Sequence, residues 1–295
     1  MTILVFGGTG QVGSALVNTL RQSGAPVRVI TRSAQKVERL PTGVEGVVAD
    51  VDKPQSLIPA LKGVRAVFLM APFSQTEAHQ GLTSLAMILS AGVKSLVYLS
   101  SDLSSRAPLI PHAGSKLAIE AAIRASETHH TILRPTNFAQ NDLAVRDGLA
   151  AGIYPLPCGR HPIARVDTRD VADAAAKALL EGIGSRRTIL LSSPDQPNGE
   201  EVAAIWSAQM GTKVTFLDET PEAWARTMRG YMPDWMVSDL ELEYRYLQRF
   251  GQPITKRDLD DQALLLPDGP RRYAEFVAES CRERPGSSLP DGTNF

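Results

Sequence analysis

The first twenty residues constrain the fold of this 295-residue chain more than any other segment. An apolar run, Ile3–Phe6, leads into the glycine-rich turn Gly7–Gly13, whose sequence is GGTGQVG, and an amphipathic helical pattern follows as far as Leu20. Glycines at these spacings allow a sharp turn from strand to helix, a close approach of backbone amides to a phosphate, and tight packing of the helix on the strand. A strand before the turn and a helix after it are the context that a dinucleotide site requires. The segment therefore predicts an NAD(P)-binding turn, with a merely tight strand–helix connection as the alternative.

Short apolar runs alternate with amphipathic segments through the first two thirds of the chain. The predicted strands are Ile3–Phe6, Val27–Ile30, Gly46–Ala49, Ala66–Met70, Ser95–Leu99 and Thr131–Leu133. The helices predicted between them are Gly10–Ser23, Pro54–Lys62, Thr76–Ala91 and Ser115–Ala125. Continuous apolar runs of this length are typical of strands buried on both faces, and their alternation with helices favours right-handed crossovers. The pattern predicts a Rossmann-type α/β fold with a doubly wound parallel sheet.

The last third of the chain changes character. The elements predicted there are the helix Asp170–Glu181, the strand Thr188–Leu191, the helix Glu200–Met210 and the strand Lys213–Leu217. From Pro221 onward aromatic and charged residues mix without strand periodicity, which indicates helices packed as a lid. We therefore predict an NAD(P)-binding Rossmann domain at residues 1–155, a smaller C-terminal substrate-binding portion at 156–280 that completes the sheet and forms the lid, and a flexible tail at 281–295.

Composition limits the classes of partner. The formal net charge of −1 lacks the basic excess that nucleic-acid binders usually show. No apolar run reaches the roughly 20 residues needed to span a bilayer. Cys158 and Cys281 lie far apart and match no metal-ligand spacing, as expected of reduced thiols in the cytoplasm. We expect a cytoplasmic monomer or homodimer that binds a small-molecule substrate, with no nucleic-acid or membrane partner.

The end of the second predicted strand indicates which dinucleotide is bound. An NAD site usually places Asp or Glu there for the ribose hydroxyls, but this chain has no acidic residue before Glu38. Arg32 and Ser33 follow the strand instead, with Lys36 one turn later. A cation in place of a carboxylate favours a 2′-phosphate, so we predict NADP (NADPH), unless Arg32 is only a solvated surface residue.

These residues resemble the NmrA-like family, a branch of the atypical short-chain dehydrogenase/reductase superfamily. The resemblance extends to about Ser280, and the glycine motif within it is shared across the superfamily. The segment Leu133–Phe138, followed by Asn141, is more specific. The other matching segments are Thr31-Arg32, Ala49-Asp50, Ala71-Pro72, Leu99–Ser101, Ser115–Glu120, Met232–Trp235 and Arg272–Phe276.

The resemblance implies a cofactor site built from loops at the carboxyl ends of parallel strands. It implies that Asp50 meets the adenine, that Met70–Pro72 border the ribose and nicotinamide, and that backbone around Pro135–Phe138 holds the carboxamide. Asp50 could equally be a residue that only caps the segment leading into Pro54. The predicted cofactor-binding residues are Gly7, Thr9, Gly10, Gln11, Val12, Gly13, Arg32, Ser33, Lys36, Asp50, Val51, Met70, Ala71, Pro72, Lys116, Pro135, Thr136, Asn137 and Phe138.

The predicted catalytic residues are Lys116, His112 and Ser101. Better-known reductases of the superfamily carry Tyr-x-x-x-Lys after the fifth strand, and here the matching positions are His112 and Lys116. On a helix these two would share a face, and a histidine titrates in the range where it can donate a proton. Alternatively, His112 is a loop residue displaced by Gly114 and Lys116 a surface lysine. Ser101 is predicted to bind substrate, or else to be a turn serine among Ser100, Ser104 and Ser105.

Two further groups of residues carry weaker signals. His129 and His130 are adjacent and point to different faces of a strand, so we assign no metal site. Six aromatic residues could line an apolar pocket for a flat substrate, although such spacings are more typical of core. They are Trp224, Tyr231, Trp235, Tyr244, Tyr246 and Phe250.

The sequence thus predicts an NADP-dependent oxidoreductase that transfers hydride to a small apolar or aromatic carbonyl, quinone or conjugated substrate. The alternative is a non-catalytic NAD(P)-sensing regulatory protein, which the missing tyrosine favours. A cofactor-dependent isomerase is a third possibility.

Overall fold

The computed structural model describes residues 2–102 and 107–282. Its strands are β1 (Thr2–Val5), β2 (Val27–Thr31), β3 (Val44–Val48), β4 (Val64–Leu69), β5 (Ser95–Leu99), β6 (His129–Pro135), β7 (Asn137–Phe138), β8 (Ile153–Tyr154), β9 (Arg165–Val166), β10 (Arg187–Leu191) and β11 (Thr215–Phe216). Its α-helices are α1 (Gln11–Gln22), α2 (Ala34–Glu38), α3 (Leu57–Leu61), α4 (Glu77–Ser90), α5 (Pro111–Ala125), α6 (Arg146–Ala150), α7 (Thr168–Glu181), α8 (Gly199–Met210), α9 (Pro221–Met228), α10 (Asp234–Phe250), α11 (Lys256–Gln262) and α12 (Tyr273–Arg282). Short 3-10 helices cover Pro54–Ser56 and Ala139–Val145.

Seven parallel strands form the central sheet, in the order β10-β6-β5-β4-β1-β2-β3. The chain leaves β1 towards one edge of the sheet and β4 towards the other, so the strand order reverses between these two neighbours. Ligands of open α/β sheets bind in the crevice that such a reversal creates at the carboxyl ends of the strands. The predicted Rossmann-type, doubly wound parallel fold is confirmed.

Helices cover both faces of the sheet because its strands are apolar on both sides. On one face α1 and α7 pack against the sheet, and the alanines of α7, such as Ala172 and Ala175, allow the two helices to approach closely. On the other face α3, α4 and α5 bury Leu57, Ile88 and Ile119. Residues on both faces of β1, such as Ile3 and Leu4, are fully buried. The strand that feeds the glycine turn is therefore central and rigid.

The C-terminal part contributes both to the sheet and to a separate core. Strand β10 pairs with β6 and extends the sheet. The small parallel pairs β8–β11 and β7–β9 lie outside it. A third apolar cluster contains Tyr154, Trp206 and Tyr273, and the fully buried Arg165 lies over the ring of Tyr273, 5.0 Å from its centroid. In the residues that the structure describes, no helix is long and apolar enough to cross a bilayer.

Several boundaries differ from the sequence-based ones. Helix α5 begins at Pro111 rather than at Ser115, because proline suits the first turn of a helix and the amide of Gly114 continues the helical bonding by donating to Ile110. His112 therefore lies within the helix, and its placement as a displaced loop residue is wrong. Helix α12 runs to Arg282, two residues into the segment predicted as a tail, and the rest of that segment is outside the described residues.

Short local elements were the ones not predicted. The five-residue helix α2 and the two-residue strands β7, β8 and β9 have too few residues to show a hydrophobic period. The predicted strand Lys213–Leu217 is present only as Thr215–Phe216, and it pairs with β8 rather than with the main sheet. Strand β3 is Val44–Val48, two residues earlier at its start than predicted, because Val44 pairs with Val27.

The glycine turn generates a test of packing. A Cβ at Gly13 would overlap the carbonyl oxygen of Gly7, whereas a Cβ at Gly10 would lie 3.4 Å from that oxygen, an ordinary contact. Since backbone cannot move aside cheaply, Gly13→Ala should lower the free energy of unfolding by about 1–3 kcal/mol in urea titrations followed by circular dichroism. The control, Gly10→Ala, should lose less than about 1 kcal/mol. Equal losses in the two variants would show that this close approach does not stabilise the fold.

Candidate active site

The glycine turn forms an open cradle at the amino end of α1. Gly7 has a φ of +68°, and the amide of Gly10 donates to the Gly7 carbonyl at 2.9 Å, which closes the turn. Gly10 is the N-cap of α1; no described side chain caps the helix there, and its first turn carries no acidic residue. Amide groups at this end are therefore available to an anion. Within the described part of the chain no atom comes closer than 3.4 Å to a Cβ placed at Gly10, so the space beside it suits the close approach of a phosphate.

The predicted 2′-phosphate residues lie at the end of the neighbouring strand, β2. Arg32 is exposed, and among residues 2–102 and 107–282 its side chain makes no hydrogen bond or ion pair. Ser33 is the N-cap of α2, and its hydroxyl accepts the amide of Lys36 at 3.2 Å. Lys36 is exposed. The arrangement leaves the Arg32 guanidinium available, while the Ser33 hydroxyl already has a structural partner.

Asp50 and Val51 follow β3 at the same edge of the sheet. The Asp50 carboxylate accepts the amide of Asp52 at 3.1 Å, and the Asp50 amide donates to the hydroxyl of Ser56 at 2.8 Å. These bonds close a local turn, whereas the 3-10 helix at Pro54 has Lys53 as its N-cap and no side-chain cap, so Asp50 does not cap it. The second carboxylate oxygen of Asp50 stays available. Val51 is half-buried beside them.

Two further predicted loops border the crevice. The methyl group of Met70, after β4, lies where a Cβ of Gly7 would be, so this side chain packs directly against Gly7. Ala71 is buried and Pro72 is exposed. After β6, the amide of Thr136 donates to the carbonyl of Leu191 at 3.0 Å, which ties Pro135–Phe138 to the end of β10. The side-chain oxygen of Asn137 accepts from Asn141 at 3.0 Å.

Lys116 is held by an acidic residue that the sequence did not indicate. Its Nζ lies 2.6 Å from Oε1 of Glu77, the first residue of α4, whose side chain has no exposed surface. The other oxygen of Glu77 is buried and has no hydrogen-bond partner among the described residues. Glu77 was missed because its partner comes 39 residues later in the chain. The pair fixes the lysine at the carboxyl edge of the sheet.

His112 lies one helical turn before Lys116 and faces two carboxylates of α10. Its Nδ1 hydrogen-bonds the carboxylate of Asp239, and its Nε2 lies 3.9 Å from Glu243. Burial lowers the pKa of His112, but the bond to Asp239 and the charges of Glu243 and Asp239 outweigh this effect and hold the pKa above its ordinary value. For the acid Glu243, in contrast, burial raises the pKa, and the charge of His112 opposes this effect. His112 therefore keeps its proton to a higher pH than a free imidazole does.

Ser101 follows β5 at the same edge and is partly exposed. The hydroxyl of its neighbour Ser100 is buried and donates to Glu120 at 2.5 Å, and Glu120 also accepts two bonds from Arg134. The role of Ser101 as a substrate-binding hydroxyl stays a prediction. Ser104 and Ser105 lie outside the described residues.

The six aromatic residues do not form one pocket. Trp224 packs against Tyr244 at a centroid distance of 4.8 Å, and Tyr246 packs against Phe250 at 5.0 Å. Tyr231 is 83% exposed. Of the six, only Trp235 reaches the site, where the centroid of its ring lies 5.3 Å from that of Phe73.

That contact belongs to a small cluster beside the predicted nicotinamide loop. The ring of Phe73 also contacts the ring of His112 edge-on, with centroids 5.5 Å apart. Phe73 is not among the predicted site residues, although its position directly after Ala71-Pro72 was a usable signal. His130 is buried, and its Nδ1 lies 2.9 Å from the carbonyl oxygen of Thr128. The described residues contain no group of three or more His, Cys, Asp or Glu side chains suited to a metal ion.

The raised pKa of His112 has a consequence for stability. The imidazolium stabilises the folded state fully below the unfolded pKa of about 6.5, and this stabilisation is lost as the pH rises through the folded pKa. We expect His112→Gln to cost about 1.5–3 kcal/mol of unfolding free energy at pH 6 and distinctly less at pH 9. His129→Gln, at an exposed histidine, is the matched control and should cost little at either pH. A loss at His112 that does not change with pH would contradict the charged pair.

Comparison with known proteins places this arrangement in a family. The model of the NmrA-like family matches residues 1–277. The (4-alkanoyl-5-oxo-2,5-dihydrofuran-3-yl)methyl phosphate reductase of Streptomyces griseus is 34% identical over 84% of this chain and 88% of its own length. The NAD(P)H azoreductase of Xenophilus azovorans is 29% identical over 82% of this chain and 86% of its own.

A solved structure shows the same fold. The NADPH-dependent quinone oxidoreductase of Escherichia coli, in complex with NADPH, superposes with a TM-score of 0.85 at 23% identity, over 94% of this chain and 99% of its own. At that identity the likeness is one of fold. The family model spans nearly the whole chain, from the glycine turn to α12, and confirms the resemblance seen in the motifs. This chain belongs to the NmrA-like family.

Proposed function

We propose that this protein is an NADPH-dependent oxidoreductase that reduces a small apolar or aromatic carbonyl, quinone or conjugated compound. The observation that carries the proposal is the meeting of two features at one edge of the sheet. These are the open cradle at Gly10 and the polar face of α5 that presents His112 and Lys116. Two relatives similar over most of the chain are named as reductases, one of them NAD(P)H-dependent.

The residues present fit a dinucleotide. The amides of Gly7–Gly13 and the amino end of α1 would hold the pyrophosphate, and Arg32 would meet the 2′-phosphate. Met70–Pro72 and the backbone of Pro135–Phe138 lie beside the crevice where the ribose and carboxamide would fit. We propose further contacts to the cofactor from Ser33, Lys36, Asp50, Val51 and Lys116. When bound, NADPH supplies the hydride for the reduction.

The chain's own residues would supply the proton and orient the substrate. Lys116 and His112 lie on one face of α5, as their spacing predicts. Glu77 holds the lysine in place, and the raised pKa of His112 lets it keep the proton that a donor needs to a higher pH than a free imidazole would. Phe73 and Trp235 offer aromatic surface suited to a flat substrate. Ser101 is the proposed hydroxyl for its polar end.

The remaining predictions on location and partners belong to the same proposal. We infer a cytoplasmic monomer or homodimer with a small-molecule substrate and no nucleic-acid or membrane partner. The near-zero net charge supports the absence of nucleic acid. Cys158, which is buried and forms no disulfide, supports a reducing compartment.

A regulatory protein that binds NADP without turnover is the second candidate. One observation favours it: Lys116 and His112, the residues at the Tyr-x-x-x-Lys positions, are both engaged by carboxylates of the protein. The reductase names of the similar proteins weigh against it. NADPH oxidation measured against quinones, azo compounds, enones and aldehydes separates the two, because tight NADPH binding without turnover on any of them would favour the regulator.

Cofactor choice is tested at Arg32. A guanidinium can hold a phosphate by charge-assisted hydrogen bonds, each worth about 1.5–3 kcal/mol. NADPH should therefore bind at least about tenfold more tightly than NADH, a difference of about 1.4 kcal/mol. Arg32→Ala should remove most of this preference by weakening NADPH alone, as measured by quenching of protein fluorescence. Arg39→Ala, an exposed arginine at the end of α2, should leave the preference unchanged. Equal affinities in the unmutated protein would refute the NADP assignment.

The role of Lys116 needs a variant that does not leave Glu77 buried and unpaired, because an uncompensated buried charge costs about 3–5 kcal/mol. The double variant Lys116→Met/Glu77→Gln should turn over about 10²–10⁴-fold more slowly than Glu77→Gln alone if the lysine takes part in proton transfer. If Lys116 only binds the ribose, NADPH affinity should fall instead. Steady-state kinetics and NADPH titration of both variants decide, and equal kinetics and affinity would remove Lys116 from the site.

A further inference from the structure

Helix α10 presents two carboxylates to a single histidine. Asp239 and Glu243 are four residues apart and so share a face of the helix, and His112 lies against that face. Only 6% of the Asp239 side chain and 19% of the Glu243 side chain are exposed. Buried carboxylates are costly unless they are paired, so their placement around one ring constrains what the ring can do.

Asp239 holds His112 at two points. One carboxylate oxygen bonds the ring Nδ1, and the other accepts the backbone amide of His112 at 3.1 Å. Both oxygens are therefore used on the same residue, which fixes the ring relative to the first turn of α5. A carboxylate at Nδ1 keeps a proton on that nitrogen and stabilises the imidazolium. Nε2 is left as the nitrogen that exchanges a proton.

Glu243 lies on the Nε2 side of the ring. Its carboxylate is 3.9 Å from Nε2, too far for a direct hydrogen bond and close enough for one after a small movement or through a water molecule. Phe73 packs edge-on against the ring of His112, and Trp235 packs on Phe73. The ring thus has an aromatic wall, a fixed Nδ1 and an Nε2 next to a second acid. Among the residues that the structure describes, the other charge acting on the ring is that of Lys116, on its own helix.

We infer that His112 is the proton donor of the reduction and that Asp239 and Glu243 are positioning residues, with Asp239 orienting the ring and Glu243 returning the proton to Nε2. This inference rests on the proposed function, and it assigns roles to two residues of the lid helix that neither the sequence motifs nor the comparisons single out.

The proton balance is simple. The substrate gains a hydride from NADPH, the reductant of the proposed function, and a proton from Nε2 of His112. The ring becomes neutral, with its remaining proton on Nδ1 bonded to Asp239. Glu243, whose carboxylate faces Nε2, then takes up a proton from solvent and passes it to Nε2, which restores both the imidazolium and the carboxylate. One proton is taken from solvent in each cycle.

The electrostatics agree with the geometry. The two carboxylates raise the pKa of His112 against the opposing effects of burial and of Lys116, and burial raises the pKa of Glu243. Both groups can therefore carry a proton at a higher pH than they would in water. A donor that acts near neutral pH needs this property.

The pH dependence of kcat with NADPH and a quinone tests the inference. Removing the carboxylate at Nδ1 lowers the pH at which His112 loses its proton, so Asp239→Asn should move the alkaline limb of the profile down by about 1 pH unit or more. At pH 8 kcat should fall about tenfold, while the Kd for NADPH stays unchanged. Glu243→Gln should shift the same limb in the same direction, and His112→Phe should abolish it. Glu241→Gln is the matched control on α10, where Glu241 pairs with Arg245 at 2.6 Å, and it should leave the limb in place.

The possible failures can be told apart. An active wild-type enzyme whose alkaline limb stays in place in both Asp239→Asn and Glu243→Gln would overturn the inference and leave the proposed function standing. A wild-type protein that binds NADPH but oxidises it with no quinone, azo compound, enone or aldehyde would overturn both. If Asp239→Asn does not fold, Glu243→Gln carries the test, because its carboxylate forms no direct bond to the ring.

Discussion

The close approach of Gly13 to the carbonyl of Gly7 is the contact on which the rest of the structure depends. It brings the first turn of α1 directly onto the end of β1, the strand that pairs with both β4 and β2. A side chain at this point would push the helix away from the strand, and the amino end of α1 would no longer lie at the edge of the sheet. Because β1 is buried on both faces, this geometry is held by the whole core. The same backbone contact thus sets the helix packing and leaves open the cradle at Gly10.

Buried acids organise the remainder of the site. Glu77, Glu120 and Asp239 lie on three different helices, and each pairs with a cation or a histidine of another element: Lys116, Arg134 and His112. A carboxylate taken out of water costs several kcal/mol unless it is compensated, so each pairing is obligatory once the helix around it has packed. The consequence is mutual orientation. Helix α5, which carries Lys116, Glu120 and His112, is tied to α4, β6 and α10 by charge as well as by apolar contact.

The sequence could predict the features that depend on residues close together in the chain, but not the contacts between residues far apart in it. All seven strands of the main sheet were located within a few residues, because each is a continuous apolar run whose burial is a local property of composition. The family was identified from contiguous motifs such as Leu133–Phe138, and the family model confirms it. The partners of the reactive groups could not be predicted. Asp239 comes 127 residues after His112, and Phe73 was passed over although it directly follows a recognised motif.

The sequence by itself determined the doubly wound sheet, the position of the glycine turn and the order of the loops at its carboxyl edge. Each of these follows from local periodicity, from glycine spacing and from the handedness of strand crossovers. The tertiary structure alone decided that His112 is a helical residue held by two carboxylates, that Lys116 is bound to a buried glutamate, and that only Trp235 of the six late aromatics reaches the site. These outcomes depend on how helices far apart in the chain pack on a common sheet, and the pairing of their buried charges is settled only when that packing removes water.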